Sequence, residues 1–161
     1  MKYGIKTSCP PWYTNEKVKP LYENDKISLY WDIPEFLGYE DEDDQKVLRP
    51  DGKLILKQQN KMFILEMTVP WISNRETKLE EKTNKYRDLI ASMKILHPNY
   101  EITQVTFIVD SLGGYSQSLI DSLKVLEFDL TLIQKMLLNI QKIVLTESRY
   151  IINRFKQLTV Q

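Results

Sequence analysis

The stretch KMFILEMTVPW, residues 61–71, reads as a buried β-strand with one charged residue inside it. Its apolar and β-branched side chains run almost without interruption, which is typical of a buried strand. Glu66 places a carboxylate in that run, and burying an unpaired charge costs on the order of several kcal/mol. The stretch therefore predicts a strand and marks Glu66 as a residue that binds something.

A second strand-like run, GKLILKQ at residues 52–58, precedes this one, so the two predict an antiparallel hairpin. If residues 59 and 60 form a two-residue turn, Lys53 lies opposite Glu66 and Asp51 shares their face of the sheet. A slip of one residue would move the two acids to opposite faces. With the turn in this place, we expect Asp51 and Glu66 to converge.

A helix is predicted over residues 74–96, after the hairpin. Ser73 and Glu76 have the spacing of a capping box, and the helix should end before Pro98. Helical spacing joins its apolar side chains in one stripe: Leu79, Tyr86, Leu89, Ile90 and Met93.

Lys82 falls inside this apolar stripe, since it stands three residues after Leu79 and four before Tyr86. Lys85 lies on the flank of the stripe. A lysine on the inner face of a helix either extends its ammonium back to water or contributes it to a functional site.

The other patterns complete an α/β fold, a small mixed β-sheet flanked by α-helices. Residues 26–33 and 100–110 predict strands, Gly113-Gly114 a turn, and residues 116–126 a short helix. Residues 130–158 repeat apolar side chains at three- and four-residue spacing and predict one long or broken amphipathic helix. We therefore expect an irregular segment at 1–25, an α/β core at 26–126 and a helical segment at 127–161.

The composition of the chain excludes several classes of functional site. The chain has 161 residues, about one domain, with 22 basic and 22 acidic side chains and no net charge to attract nucleic acid from a distance. One cysteine, Cys9, and one histidine, His97, exclude an internal disulfide and a multi-cysteine or histidine-rich metal site, and disfavour a serine–histidine triad.

We interpret the acidic run Glu40–Asp44 as a solvated loop. Without a membrane span or signal peptide, we expect a soluble intracellular protein.

Asp51, Glu66 and Lys82 together predict hydrolytic chemistry. Two carboxylates on one sheet face can bind Mg²⁺, a cation that prefers oxygen ligands and keeps other positions for water or phosphate. A lysine beside them would orient or deprotonate the attacking water. Such an arrangement is typical of phosphodiester cleavage and needs no organic cofactor.

These residues also resemble those of a known family. RPD at residues 49–51, then fourteen residues, then Glu66 in LEMTVPW and EKTNKYRDL at 81–89 resemble the restriction-endonuclease-like domain of site-specific non-LTR retrotransposons. This domain belongs to the PD-(D/E)XK superfamily and usually follows a reverse transcriptase. LYWDIP upstream and VTFIVDSLGGYSQSL downstream extend the similarity over roughly residues 27–126.

The resemblance implies a restriction-endonuclease-like fold and a nuclear DNA endonuclease that uses Mg²⁺ or Mn²⁺. It makes Asp51 and Glu66 the metal ligands and Lys82 the catalytic lysine, supplied from the helix because Thr68 stands where many relatives carry it. Relatives commonly have aspartate in place of Glu66.

Basic residues that flank the proposed metal are candidate DNA contacts: Arg49, Lys53 and Lys85. Ordinary surface charge is the alternative for all three. Asp32 is read as a turn former at the end of a strand, with an accessory role at the site as the alternative.

Structural alternatives remain open for the main residues. Asp51 could be a turn residue, Glu66 could pair with Lys53 across the hairpin, and Lys82 could only extend to water. The alternative function is a catalytically inactive retrotransposon remnant that acts by binding, for instance as a homodimer joined along residues 130–158.

Overall fold

The computed structural model describes residues 19–37 and 46–159. The acidic run Glu40–Asp44 and Cys9 lie outside these ranges. Within the described residues, the chain forms two compact units: a first unit of residues 19–37, 46–66 and 84–105, and a second unit of residues 67–83 and 106–159.

The described residues form seven strands and four α-helices. The strands are β1 (Leu21–Glu23), β2 (Ile27–Trp31), β3 (Glu35–Leu37), β4 (Lys46–Leu48), β5 (Gly52–Leu56), β6 (Lys61–Thr68) and β7 (Glu101–Ile108). The helices are α1 (Arg75–Lys85), α2 (Arg87–Leu96), α3 (Gln117–Val125) and α4 (Leu130–Thr159). The sequence did not predict β1, β3 and β4, because three residues are too few to show an alternating pattern.

Five strands form one sheet in the order β1-β2-β5-β6-β7, and β3 pairs with β4 separately. The pairs β1–β2, β2–β5 and β5–β6 are antiparallel. β7 runs parallel to β6, since Glu101 donates to the Asn60 carbonyl and Val109 to the Thr68 carbonyl at the same sequence offset. The sheet is therefore mixed, and the predicted α/β class is confirmed.

The predicted register of the hairpin is wrong by two residues. Residues 57–59 form a turn of 3₁₀-helix and Asn60 adopts the left-handed conformation at φ 53°, so the connection has four residues instead of two. Lys53 therefore lies opposite Ile64, not opposite Glu66. A shift of two residues preserves the faces, because side chains alternate with a period of two.

The predicted helix over 74–96 divides at Tyr86, which lies between α1 and α2 with φ −104° and ψ 5°. The predicted capping box is also not formed as expected. Ser73 lies in a 3₁₀ turn at Ile72–Asn74, and its hydroxyl contacts the Asn74 side chain. The predicted end before Pro98 is confirmed, and His97 is the residue that caps α2.

Each unit has its own apolar core. The core of the first unit joins α2 to one face of the sheet, with Leu48, Met62, Ile64, Tyr86, Leu89, Met93 and Ile102. The core of the second unit joins the residue after β7 to α3 and α4, with Val109, Leu119, Leu123, Ile133, Leu137 and Val144.

The last turns of α4 carry exposed apolar side chains. Three members of the predicted stripe there, Ile151, Phe155 and Leu158, are 64–69% exposed, and Leu130 at the start of the helix is 63% exposed. The predicted long helix is confirmed, but its stripe is buried only between Ile133 and Val144. Among the described helices, none is both long and apolar enough to cross a membrane.

Candidate carboxylate site

Asp51 and Glu66 lie on neighbouring chain segments of the first unit. The register of β5 and β6 ends with Gly52 opposite Leu65, and Asp51 and Glu66 are the next residues outward on the two segments. Continuing this register by one pair would put the two acids on one face, where the Cβ atoms of opposite positions are typically about 4.5–5.5 Å apart. The charges of both acids act on Tyr86, which agrees with their lying close together.

The two carboxylates differ in exposure. Glu66 is 1% exposed, whereas Asp51, just before β5, is half-buried. An ionised carboxylate at such depth requires hydrogen bonds or a nearby cation to offset its lost hydration. The pair therefore has an inner member held by protein and an outer member that solvent reaches.

The hydroxyl group of Tyr86 lies beside both the segment that carries Asp51 and the side chain of Glu66. Its side chain is fully buried, and its hydroxyl donates to the Arg49 carbonyl oxygen at 2.9 Å. The Glu66 carboxylate is a second acceptor beside the same hydroxyl, whose single proton is shared between the two acceptors. Burial raises the pKa of Tyr86 far above its usual range, and the charges of Glu66 and Asp51 raise it further. Tyr86 therefore stays neutral and keeps its proton at the site.

Asp32 holds the backbone beside Asp51 in place. Asp32 is in the left-handed conformation at φ 51°, and its backbone N–H donates to the Asp51 carbonyl at 3.0 Å. The Arg49 guanidinium forms a two-pronged contact with the Asp32 carboxylate, at 2.6 Å from Nε to Oδ1 and 2.9 Å from Nη2 to Oδ2. These contacts fix the RPD segment from the side of β2, and they agree with the reading of Asp32 as a turn former.

Gly52 leaves room for its neighbour on β2. A Cβ at this position would lie 3.2 Å from two ring carbons of Trp31, tighter than ordinary van der Waals contact. The glycine lets the indole ring lie over the start of β5, on the sheet face opposite the two acids.

The three predicted DNA contacts lie in different surroundings. Arg49 is 60% exposed but already holds Asp32. Lys53 is 17% exposed, pairs with Glu35, and lies 4.9 Å from the centre of the Tyr30 ring. Lys85 is exposed, with its ammonium 4.7 Å from the centre of the Tyr86 ring. A phosphate would have to displace partners at Arg49 and Lys53, since both already form ion pairs.

The predicted ion pair between Lys53 and Glu66 is wrong, because Lys53 binds Glu35 and lies opposite Ile64. The explanation of Glu66 by an ion pair with Lys53 is thereby removed. One partner that the structure gives Glu66 instead is the Tyr86 hydroxyl.

Lys82 lies on α1 in the second unit. It is half-buried, whereas its neighbours Glu81 and Thr83 are exposed. This burial agrees with the predicted position of Lys82 on the inner stripe of the helix. Its catalytic role stays a prediction.

The donor set of the pair fits a hard divalent cation. Carboxylate oxygens are the ligands that Mg²⁺ and Mn²⁺ prefer, and two of them leave positions for water or phosphate. Within residues 19–37 and 46–159, no group of three or more histidine, cysteine, aspartate or glutamate side chains converges. A cation at this site would therefore depend on Asp51 and Glu66 together with ligands from solvent or substrate.

Sequence reasoning missed two contributors to this site, the Tyr86 hydroxyl and the Asp32 backbone. Tyr86 was placed correctly in the apolar stripe, but its hydroxyl was not considered. A buried tyrosine usually finds a hydrogen-bond partner for that hydroxyl, which was the available signal. For the backbone of Asp32 the sequence carries no comparable signal.

Comparison of the chain with protein-family models, with curated proteins and with solved structures gave no match.

Proposed function

We propose that this chain is a Mg²⁺- or Mn²⁺-dependent DNA endonuclease with a restriction-endonuclease-like fold, derived from a non-LTR retrotransposon and acting in the nucleus. The observation that carries the proposal is the placement of Asp51 and Glu66 side by side at the end of the β5–β6 ladder, where the charges of both act on Tyr86. It supports the proposal because a shared cation needs two oxygen donors on one face, at a distance that one ion can span.

The burial of Glu66 adds a second argument. A carboxylate that is 1% exposed contributes little to solubility, and removing it from water is costly. A cation would offset this cost at the same place where the reaction needs positive charge. When bound, the cation supplies a Lewis acid and an activated water for phosphodiester hydrolysis.

The protein side chains have separate tasks in this proposal. Asp51 and Glu66 hold the cation, and Lys82, in the role that the resemblance implies, orients the attacking water or accepts its proton. Lys85 is the most accessible of the candidate phosphate contacts, because its ammonium is exposed and lies beside Tyr86. Arg49 and Lys53 contact phosphate only if they exchange their carboxylate partners.

The proposal is tested by nicking of supercoiled plasmid DNA in the presence of Mg²⁺ or Mn²⁺. We expect Asp51→Asn and Glu66→Gln each to lower the nicking rate by about 100-fold or more, since each removes one charged ligand. Lys82→Met should lower the rate without abolishing cation binding. Asp88→Asn, which changes an exposed carboxylate on α2 of the same unit, is the matched control and should nick normally. Normal nicking by Asp51→Asn would disprove the assignment.

A second candidate function is favoured by the exposed apolar side chains of α4. Ile151, Phe155 and Leu158 are 64–69% exposed and continue the spacing of the buried stripe. A catalytically inactive remnant could use them to form a homodimer, since exposed apolar stripes mark interaction surfaces.

Sedimentation velocity distinguishes the two functions. Concentration-dependent dimerisation that Phe155→Glu abolishes, in a protein that binds no Mn²⁺ and nicks no DNA, would favour the second candidate. A monomer that nicks DNA would exclude it.

A further inference from the structure

We infer that Tyr86 is the positioning residue of the carboxylate pair: its hydroxyl sets the spacing of Asp51 and Glu66 and thereby their affinity for a divalent cation. The inference rests on the proposed function in that it takes the pair as a cation site. It assigns a role to a residue that the helical pattern marks only as core.

The first step is the geometry of the hydroxyl group. Tyr86 Oη is 2.9 Å from the carbonyl oxygen of Arg49, two residues before Asp51, and is hydrogen-bonded to the carboxylate of Glu66. One side chain thus links the segment that carries the outer acid to the inner acid itself. Movement of either acid away from the other would break one of these bonds.

The second step is that the other anchors of the RPD segment act from the opposite side. Asp32 binds the Asp51 carbonyl and the Arg49 guanidinium, so it fixes the segment to β2. Tyr86 instead joins the RPD segment, through the Arg49 carbonyl, to the side chain of Glu66.

The third step is the rigidity of Tyr86. Its ring belongs to the core of the first unit and is fully buried beside Ile64 and Leu89. The chain departs from helical geometry at this residue, between α1 and α2. A continuous helix would not hold the side chain at the same angle. The placement of the hydroxyl therefore depends on the division of the helix at Tyr86.

Cation affinity depends on such supporting contacts. Groups that hydrogen-bond to metal ligands orient them before the cation arrives, and their loss typically lowers affinity by about 10- to 100-fold. Tyr86→Phe keeps the ring and its packing but removes both hydroxyl contacts. We expect this variant to bind Mn²⁺ about tenfold more weakly, because the two carboxylates are no longer held at a fixed spacing.

The test is isothermal calorimetry with Mn²⁺ on the wild-type chain, Tyr86→Phe and the control Tyr100→Phe. Tyr100 is half-buried and packs against the same core, so its variant reports the general effect of losing a tyrosine hydroxyl there. Thermal unfolding shows that each variant is folded at the temperature of the titration. A loss of stability alone would not change the affinity of the folded fraction.

A measurement on the wild-type chain avoids any dependence on the folding of the variant. With ¹³C-labelled tyrosine, we expect the Cζ resonance of Tyr86 to shift when Mg²⁺ is added, while that of Tyr100 stays in place. The shift should be lost in Glu66→Gln.

The outcomes separate the inference from the proposed function. Weaker binding by Tyr86→Phe alone, with the resonance shift, supports both. Equal binding by wild type and Tyr86→Phe, or Mg²⁺ binding without a shift at Tyr86, would overturn the inference and leave the cation site standing. No Mn²⁺ binding by the wild-type chain would overturn the proposed cation site, and the inference with it.

Discussion

The hydroxyl group of Tyr86 gives this core residue a second role, at the candidate site. Its ring fits the apolar stripe that the sequence predicts, and its burial alone would class it as core. The hydroxyl, however, lies against the Arg49 carbonyl and the Glu66 carboxylate. Burial first, and then Glu66 and Asp51, raise its pKa and keep it protonated. A residue predicted for packing thus belongs to the candidate site as well.

The raised pKa of Tyr86 predicts a loss of stability at high pH. Below pH 10, the ordinary value for tyrosine, the hydroxyl is neutral in both folded and unfolded chains, and its contribution is fully present. Above pH 10 the unfolded chain ionises first, so the free energy of unfolding falls by up to about 1.4 kcal/mol per pH unit until the folded pKa is reached.

Urea denaturation of the wild-type chain and of Tyr86→Phe at several pH values between 9 and 11.5 measures this effect. The difference between the two free energies isolates Tyr86 from the other tyrosines and the lysines. Parallel curves for the two proteins would show that the pKa of Tyr86 is not raised.

Asp110 gives the glycine turn after β7 a structural explanation. It is fully buried, and its Oδ1 accepts the backbone N–H groups of Leu112 and Gly114 at 2.9 Å. Arg75 lies 3.6 Å from Oδ2. A Cβ on Gly114 would collide with this carboxylate. The turn therefore closes around Asp110, in agreement with the prediction of a turn at Gly113-Gly114.

The hairpin of β5 and β6 is the element that decides the site. Its four-residue connection sets the register, which ends with Gly52 opposite Leu65 and so brings Asp51 beside Glu66. A connection that was shorter or longer by one residue would move one acid to the other face. The candidate site therefore depends on a turn that contains none of its residues.

The left-handed conformation of Asn60 provides a test of this turn. We expect Asn60→Ala to lower the free energy of unfolding by about 1 kcal/mol, because a Cβ-bearing residue other than asparagine or aspartate is strained at φ 53°. Asn60→Gly should be close to neutral, since glycine adopts this conformation freely. Urea denaturation measures both variants, and equal stability of the alanine and glycine variants would contradict the observed turn.

At the scale of the whole molecule, each of the two units has an apolar core among its described residues. The core of the first unit lies beneath the carboxylate site and includes Tyr86. The core of the second unit uses α4 only as far as Val144, and the turns beyond it are exposed. One continuous apolar stripe therefore has two roles, core packing in its first half and an open surface in its second.

Two leucines of α4 test this division. Leu137 is 4% exposed and Leu158 is 69% exposed. We expect Leu137→Ala to lower the free energy of unfolding by about 2–5 kcal/mol, through lost burial and the cavity it leaves. Leu158→Ala, the matched control, should change it by less than about 0.5 kcal/mol at low protein concentration. A comparable loss for Leu158→Ala would mean that the end of α4 is covered in solution.

The sequence by itself determined the elements whose signals are local. Alternation and helical spacing predicted β2, β5, β6, β7, α3 and α4 near their observed bounds, since apolar periodicity is written in neighbouring residues. It also singled out Asp51 and Glu66 and their shared sheet face, because an even shift of register preserves faces.

Only the tertiary structure decided which residues meet. The register, the pairing of Lys53 with Glu35, the break of the helix at Tyr86 and the partners of its hydroxyl all join residues far apart in the chain. Such contacts depend on the conformation of a turn and on how a core fills, and both are settled by competition among many weak interactions. Local patterns predict that Glu66 lies in a strand. Which residue neighbours it across the sheet depends instead on the four-residue turn between β5 and β6.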